Sequence, residues 1–312
     1  MAPRTMRQRT AGHGEASPAD RPPAHEVVLP DVDSMVRWHE HSYPHPLARW
    51  HTHPEAEIHL IRSGTGLAFV GDHVGRFDAG HLVLVGSQVP HNWISDLDPG
   101  QVVEGRDVVL QINPHQLRRL ADVAPEATEG VRLLGSATRG LEYSGRTAAE
   151  ASTTLEAIGA SSGVERLALL FRLLALLARA PQEERRALGS PAPLPVSDPL
   201  VQRRVDTALR YVAENLHSEV RLPDVAALVG MTPSAFSRFF SRAAGRGLSD
   251  MVRRLRVIRA CALLNGTDML VADICYAVGY GNLSNFNRQF RTETGTTPRE
   301  YRRTSRSGPS VS

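Results

Sequence analysis

The chain has 312 residues, 41% of them hydrophobic, and a formal net charge of +3, which suits two ordinary globular domains, each with its own core. No window reaches the roughly 18 uninterrupted apolar residues of a membrane span, and the first 30 residues lack the apolar core of a signal peptide. Two cysteines, Cys261 and Cys275, sit in apolar helical patterns and read as buried thiols in a reducing cytosol rather than as a bridge.

Residues 1–30, rich in Arg, Pro, Gly and Ala, are expected to form a disordered tail. From 36 to 112, short apolar runs follow one another: Glu57 to Ile61, Gly66 to Val70, His81 to Val85, and Val102 to Ile112. Gly64, Gly66, Gly71, Gly75, Gly80 and Gly86 punctuate them at turn-like intervals. Many short strands of this kind predict a barrel or sandwich. Helical patterns follow over 114–121 and 146–160, then a stronger one from Val164 to Arg179. In it Leu167, Leu170, Leu174 and Leu177 form one seam, and Leu169, Leu173 and Leu176 an adjacent stripe. Two stripes exceed the apolar face of an ordinary surface helix. One is expected to rest on the barrel and the other to meet a partner chain in a homodimer; the alternative is one wide core face. Residues 181–199 contain five prolines and read as a semi-rigid linker. The second domain is expected over 200–303, with a frayed tail over 304–312.

Within the strand-rich half, His51-Thr-His53-Pro-Glu55-Ala-Glu57 is followed by Gly64, then by Asp78-Ala-Gly80 and Pro90-His91-Asn92-Trp93. His51 and His53, two apart, would share one face of a strand. These segments resemble the two motifs of the cupin superfamily, a small β-barrel. The resemblance implies that Glu57 and His91 join the two histidines as a three-histidine, one-carboxylate set for a divalent metal. Three readings stand side by side. The set holds a metal that helps bind a ligand; or it hydrogen-bonds an organic effector without metal; or its members only satisfy one another in the core. Glu55, His59 and Trp93 add polar contacts and a stacking surface to an effector site made of His51, His53, Glu55, Glu57, His91 and Trp93.

Charge divides the chain: 17 Arg against nine acidic groups from residue 200 onward, but 19 against 24 before it. A basic second half suits a polyanionic partner. There Leu222, Val225, Ala226 and Val229 repeat 49 residues later as Val271, Ile274, Cys275 and Val278, each the buried stripe of a short helix. Gly230 and Gly279 end those helices. Second helices follow, capped by Thr232 with Pro233 in one copy and by Asn282 in the other. They carry Phe236, Phe239 and Phe240 inward in one copy, Phe286 and Phe290 in the other. Outward stand Ser234, Ser237, Arg238, Ser241 and Arg242, and in the second copy Ser284, Asn287, Arg288 and Arg291. A tight turn between two short helices, repeated, is the helix-turn-helix pattern. Arginine can fork to guanine, asparagine pair with adenine, and serine serve base or phosphate. Leu248 to Leu264 reads as a rigid spacer with Met251, Leu255, Ile258 and Ala262 as its seam. It would hold the recognition helices for successive major-groove segments, about 34 Å apart. Its Arg253, Arg254, Arg256 and Arg259 are candidates for phosphate contacts.

Residues 203–303 resemble the DNA-binding domain of the AraC/XylS family of bacterial transcription regulators. The run ICYAVGYGNLSNFNRQFRTETGTTPREY, Ile274 to Tyr301, is similar to that family's signature in its glycine–aromatic pair, Phe-x-Arg-x-Phe core and Gly-x-x-Pro-x-x-Tyr ending. Leu283 departs from the pattern: it either meets a thymine methyl or packs internally. The resemblance implies a cytoplasmic regulator that binds double-stranded promoter DNA and a small-molecule effector and acts on RNA polymerase, with no membrane partner and no catalytic residue. The fold expected is α+β in two domains: a cupin-like β-barrel with trailing helices over 31–180, and an all-α domain with two helix-turn-helix units over 200–303. The rival functions are a cupin-type metalloenzyme carrying a DNA-binding module, and an architectural DNA binder without an effector.

Overall fold

A computed structural model describes residues 35–45, 48–98, 100–190 and 198–306; the tail expected over 1–30 lies outside them. The N-terminal half opens with seven strands, β1 (Val36–Tyr43), β2 (Ala56–Ile61), β3 (Gly66–Val70), β4 (His73–Phe77), β5 (Leu82–Val85), β6 (His91–Ser95) and β7 (Val103–Ile112). After them come α1 (Pro114–Ala121), α2 (Thr128–Ser136), β8 (Leu141–Tyr143), α3 (Gly145–Ala160), α4 (Gly163–Ala178) and β9 (Arg185–Ala187). The strands form a six-stranded sheet in the order β1-β7-β2-β5-β8-β9 and a three-stranded sheet in the order β4-β3-β6. The small barrel is thus built as two facing antiparallel sheets rather than one closed hydrogen-bonded ring.

Alternation along the strands assigns each face. Ile58, Leu60, Leu82, Leu84, Val108, Leu110 and Ile112 share one apolar core with Leu117, Leu134, Leu155, Leu170 and Leu174 from the helices. On the opposite face Ile61, Val83 and Val85 meet Ala68, Val70, Phe77 and Trp93 of the smaller sheet. The large sheet is therefore covered on both sides, which is why β2 and β5 are buried at every position.

Two expectations change here. The linker does not begin at 181, because Arg185–Ala187 pairs with β8 and extends the sheet. Nor does α4 present a free second stripe. It packs between α2 and α3, with Leu170, Leu173, Leu174 and Leu177 buried and Leu167, Leu169 and Leu176 half-buried against the same core. Most of its apolar surface is one wide face spent within the chain.

The C-terminal half is α5 (Pro199–Glu214), α6 (Leu222–Leu228), α7 (Pro233–Ala244), α8 (Leu248–Gly266), α9 (Val271–Ala277), α10 (Leu283–Thr294) and α11 (Pro298–Arg306). Helix α11 runs into the stretch expected to fray after 303. The start and stop chemistry is that of the sequence: the Thr232 hydroxyl accepts from Ala235 N–H at 3.3 Å and the Asn282 side-chain Oδ1 from Asn285 N–H at 2.8 Å. Gly245 and Gly295 close the second helices at φ of 71° and 78°, where a Cβ would be strained.

The spacer α8 has two buried faces instead of the single predicted seam. Met251, Val252 and Leu255 join Phe236 and Phe240 of the first unit. Val257, Ala260 and Leu264 join Phe286 and Phe290 of the second. Ile258 and Ala262 are half-buried at an open cleft beside Arg254 and Tyr301. The two halves of the chain also share a core. Trp50, Leu67, Phe69 and Val74 of the barrel belong to the same cluster as Val205, Leu209, Val212 and the first unit's phenylalanines.

Candidate ligand site and nucleic-acid interface

The predicted base-reading edge is open in both units. Ser234, Ser237, Arg238, Ser241 and Arg242 on α7 are exposed, as are Ser284, Asn287, Arg288 and Arg291 on α10. Directly behind them Phe236, Phe240, Phe286 and Phe290 are completely buried. Each helix is thus anchored by aromatics and presents hydrogen-bonding groups to solvent, as major-groove insertion requires. Leu283 is 37% exposed, so it does not pack internally. Arg288 Nη2 donates to Asn285 Oδ1 at 2.9 Å, which orients the guanidinium along its helix.

The spacer arginines mostly do other work than gripping phosphate. Arg253 pairs with Asp250 and Glu293, both at 2.8 Å. Arg254 Nε donates to the Val74 carbonyl of the barrel at 2.9 Å. Arg256 donates to the carbonyls of Leu216 at 3.1 Å and Ser218 at 2.6 Å, and lies over the Tyr280 ring at 5.5 Å. Only Arg259 of the four is exposed. Arg256 therefore ties the end of α5 to the turn of the second unit. Gly279 fits this junction because a Cβ there would stand 2.2 Å from the Leu216 oxygen. Arg256→Ala is expected to cost the C-terminal half about 1.5 kcal/mol, the lower end for charged hydrogen bonds because the side chain is half-exposed. Arg256→Lys should recover little of it, lacking the fork; helical circular dichroism against urea measures both.

The candidate ligand site is a cavity between the two sheets. His51 and His53 are not on a strand as expected. They lie in the segment before β2, with His51 bridged to His91. Convergence comes from the backbone instead. The Nδ1 atoms of His51, His53 and His91 face the carbonyls of Arg49, Glu55 and Val89 at 2.6, 3.1 and 2.8 Å. A carbonyl only accepts, so each Nδ1 carries the hydrogen. Ligand atoms of the three imidazoles all lie within 4.8 Å of one another. Burial and the neighbouring His51 push the His91 imidazole well below its usual range. It is neutral at pH 7, and its Nε2 is a buried lone pair without a hydrogen-bond partner.

The mutually close set is the three histidines alone, and Glu57 stands beside two of them, His53 and His91, at 2.9 and 3.6 Å. Glu57 is 3% exposed and faces His53 Nε2 and His59 Nδ1, each at 2.9 Å. Burial alone would raise its carboxyl; the neighbouring His91, then the contacts with His53 and His59, hold it well below the usual carboxylate range. His53 thus meets a carboxylate with a nitrogen whose ring partner already holds the hydrogen. That contact needs either a second proton on His53 or a cation between the two. The cavity against these groups has about 40 Å³ open to the centre of a water molecule. This holds an ion with a few waters, far short of the 300–1,000 Å³ of a drug-sized ligand site.

Trp93 is 2% exposed and stacks on His59 with ring centroids 3.8 Å apart, so it supports the wall. Glu55 does not reach the cavity; it lies on the outer side of His53, 3.7 Å from Nδ1. Sequence reasoning missed His41, Arg106, Asp107 and Gln111, which also line the cavity. Asp107 and Gln111 are four apart in an otherwise apolar run, both on the inward side of β7. That periodicity was the available signal.

Comparison with known proteins follows this division. A family model described as the AraC-like ligand binding domain matches residues 35–186, and one described as a helix-turn-helix domain matches residues 225–304. The regulatory protein PocR of Salmonella typhimurium is 35% identical over 99 residues, 32% of this chain and 33% of PocR, so that match spans about a third of the relative. The HTH-type transcriptional activator RhaR of Yersinia pestis is 23% identical over 265 residues, covering 83% of this chain and 86% of RhaR. A crystal structure of an AraC-type regulator from Chromobacterium violaceum is 28% identical, covering 35% of this chain and 96% of that one, with a TM-score of 0.33. Among the described residues no helix is long and apolar enough to cross a membrane. The chain thus joins an AraC-like ligand-binding domain to a helix-turn-helix DNA-binding domain, in the order the residues predicted, which is the make-up of an effector-responsive transcription regulator.

Proposed function

We propose that the effector site is the histidine-lined cavity between the sheets and that α7 and α10 read promoter DNA through their exposed Ser, Asn and Arg edges. The observation that carries the effector site is the tautomer pattern. Three imidazoles, each anchored through Nδ1 on a backbone carbonyl, bring ligand atoms within 4.8 Å of one another, with a buried carboxylate beside two of them. Carbonyl-anchored histidines are the usual outer support of a metal centre, and His51, His53, His91 and Glu57 are nitrogen and oxygen donors suited to Zn, Ni, Fe or Mn. A divalent cation held by them would supply a positive centre for an anionic oxygen of the effector. The curated relatives are regulators, which supports a sensor rather than an active site.

The regulator works in the cytoplasm and acts on RNA polymerase at its promoter. A homodimer rests on the outer edges of Leu169, Phe171 and Leu176, whose inner sides pack on the core, and on the 84% exposed Val164. Sedimentation of the full chain tests it.

Metal analysis of the purified chain and calorimetric titration with Zn²⁺ test the pocket. About one equivalent is expected. His51→Ala with His91→Ala should weaken Zn²⁺ binding by about 100-fold or more, beyond the roughly 10–100-fold that loss of an outer hydrogen-bond partner costs. The double variant should also lose the response to effector while keeping its affinity for DNA. Unchanged Zn²⁺ affinity would remove these histidines from the site.

A further inference from the structure

The carboxylate of Asp206 crosses from one domain to the other. Asp206 lies on α5 and is 3% exposed. Its Oδ1 accepts the backbone N–H of Trp50 at 3.0 Å and the side-chain amide of Asn92 at 3.4 Å, both from the barrel. Its Oδ2 pairs with Arg210 one turn along α5. A buried carboxylate in an apolar seam is costly unless its partners are well placed, and here two of the partners belong to the other domain.

Those partners sit next to the cavity. Trp50 precedes His51, and Asn92 follows His91. The two histidines are joined by a pair of backbone hydrogen bonds, His51 N–H to the His91 carbonyl at 3.2 Å and His91 N–H to the His51 carbonyl at 3.0 Å. Their rings are 4.3 Å apart. In an extended pair successive residues face opposite sides. The bridge holds both imidazoles at the cavity, while the Trp50 backbone N–H and the side chain of Asn92, itself a cavity-lining residue, reach Asp206. The Trp50 side chain joins the apolar cluster that holds Val205, Leu209, Phe236 and Phe240. One short pairing thus has the ligand site on one side and the DNA-binding half on the other.

We propose that Asp206 is the residue through which occupancy of the histidine pocket reaches the helix-turn-helix units. This rests on the pocket reading above. A ligand that draws His51 and His91 together favours the bridge geometry in which Trp50 and Asn92 both meet Asp206. It then binds the docked arrangement more tightly than an undocked one, which is the only way a ligand can shift such an equilibrium. The coupling is reciprocal: loss of the Asp206 contact must weaken binding in the pocket by the same factor.

Hydrogen exchange of the full chain, with and without Zn²⁺ as the probe, tests this alongside the calorimetric Zn²⁺ affinity. In the unaltered protein, saturating Zn²⁺ is expected to slow exchange of the Trp50 amide and of residues 200–214 by about 5-fold or more, within the usual range of allosteric coupling. Asp206→Ala should still bind Zn²⁺, several-fold more weakly, but show no Zn²⁺-dependent change over 200–214. Asp206→Asn, which keeps an acceptor oxygen, should restore part of it. Asn92→Ala leaves α5 intact and removes one donor, so it answers the same question if Asp206→Ala does not fold; a reduced response is expected. An undiminished response over 200–214 in Asp206→Ala, or in Asn92→Ala where that variant stands in, overturns the proposal, as does bound Zn²⁺ that leaves α5 unchanged in the unaltered chain. Failure of the unaltered chain to bind Zn²⁺ is a different result: it sinks the metal-holding pocket first, and the relay with it.

Discussion

Arg238→Ala and Arg288→Ala are each expected to weaken binding to the cognate duplex by about 1–3 kcal/mol, and together by about 2–6 kcal/mol. The sum follows because the two guanidiniums sit in separate units with separate cores, and distant sites add. Each side chain stands on the exposed edge of a helix whose opposite edge is fixed by fully buried phenylalanines. Truncation therefore removes a base contact without loosening the helix. A duplex selected from a random library by the full chain supplies the specific site, and a scrambled duplex the control. A loss confined to the specific duplex marks a base reader. Equal loss on both, with a salt slope reduced by about one unit, marks a phosphate contact instead.

The two units were legible because everything that makes them is local. Caps at Thr232 and Asn282, left-handed glycines at 245 and 295, and phenylalanines spaced by four act within one turn or one helix. The pocket was half legible. His51, His53, Glu57 and His91 lie in two short runs, but Asp107, Arg106 and Gln111 reach the cavity only because β7 pairs with β2, setting Gln111 opposite Glu57 and Asp107 opposite Ile61. Helix α2 escaped notice for a related reason. Its Gly130 and Gly135 weaken any helical pattern, yet a Cβ on Gly130 would lie 3.1 Å from Leu174 of α4. That glycine answers to a neighbour 44 residues away in the chain. The contact of Asp206 with Trp50 joins residues 156 apart, and no periodicity encodes it.

Asp107→Ala is expected to destabilise the N-terminal half by about 3–5 kcal/mol, the cost of removing one partner from a buried ion pair. Arg106 is 3% exposed and Asp107 fully buried. The guanidinium donates to Asp107 through Nε at 2.6 Å and through Nη2, reaches the Trp93 carbonyl and Ser95 hydroxyl at 3.2 Å, and lies over the Tyr43 ring at 4.5 Å. His41 Nδ1 lies 3.0 Å and His59 Nε2 3.7 Å from the same carboxylate. Without it, a buried guanidinium loses its counter-charge. Asp107→Asn keeps an acceptor and should cost less. Acid sensitivity separates charge from shape. Burial alone would raise the Asp107 carboxyl, but the hydrogen bond from His41 and the charges of His59 and Arg106 hold it far below the usual carboxylate range. A carboxyl depressed in the folded state stabilises above its unfolded value, about 3.9, and that stability is lost as pH falls toward the folded one. The unaltered chain should therefore weaken steeply below about pH 4, and Asp107→Asn less steeply. Trp38 and Trp93 pack within this half, while Trp50 sits in the core shared with the C-terminal half, so urea melts followed by tryptophan fluorescence of a Trp50→Phe background report it. Parallel acid profiles for the two proteins would show that Asp107 is held by shape rather than by charge.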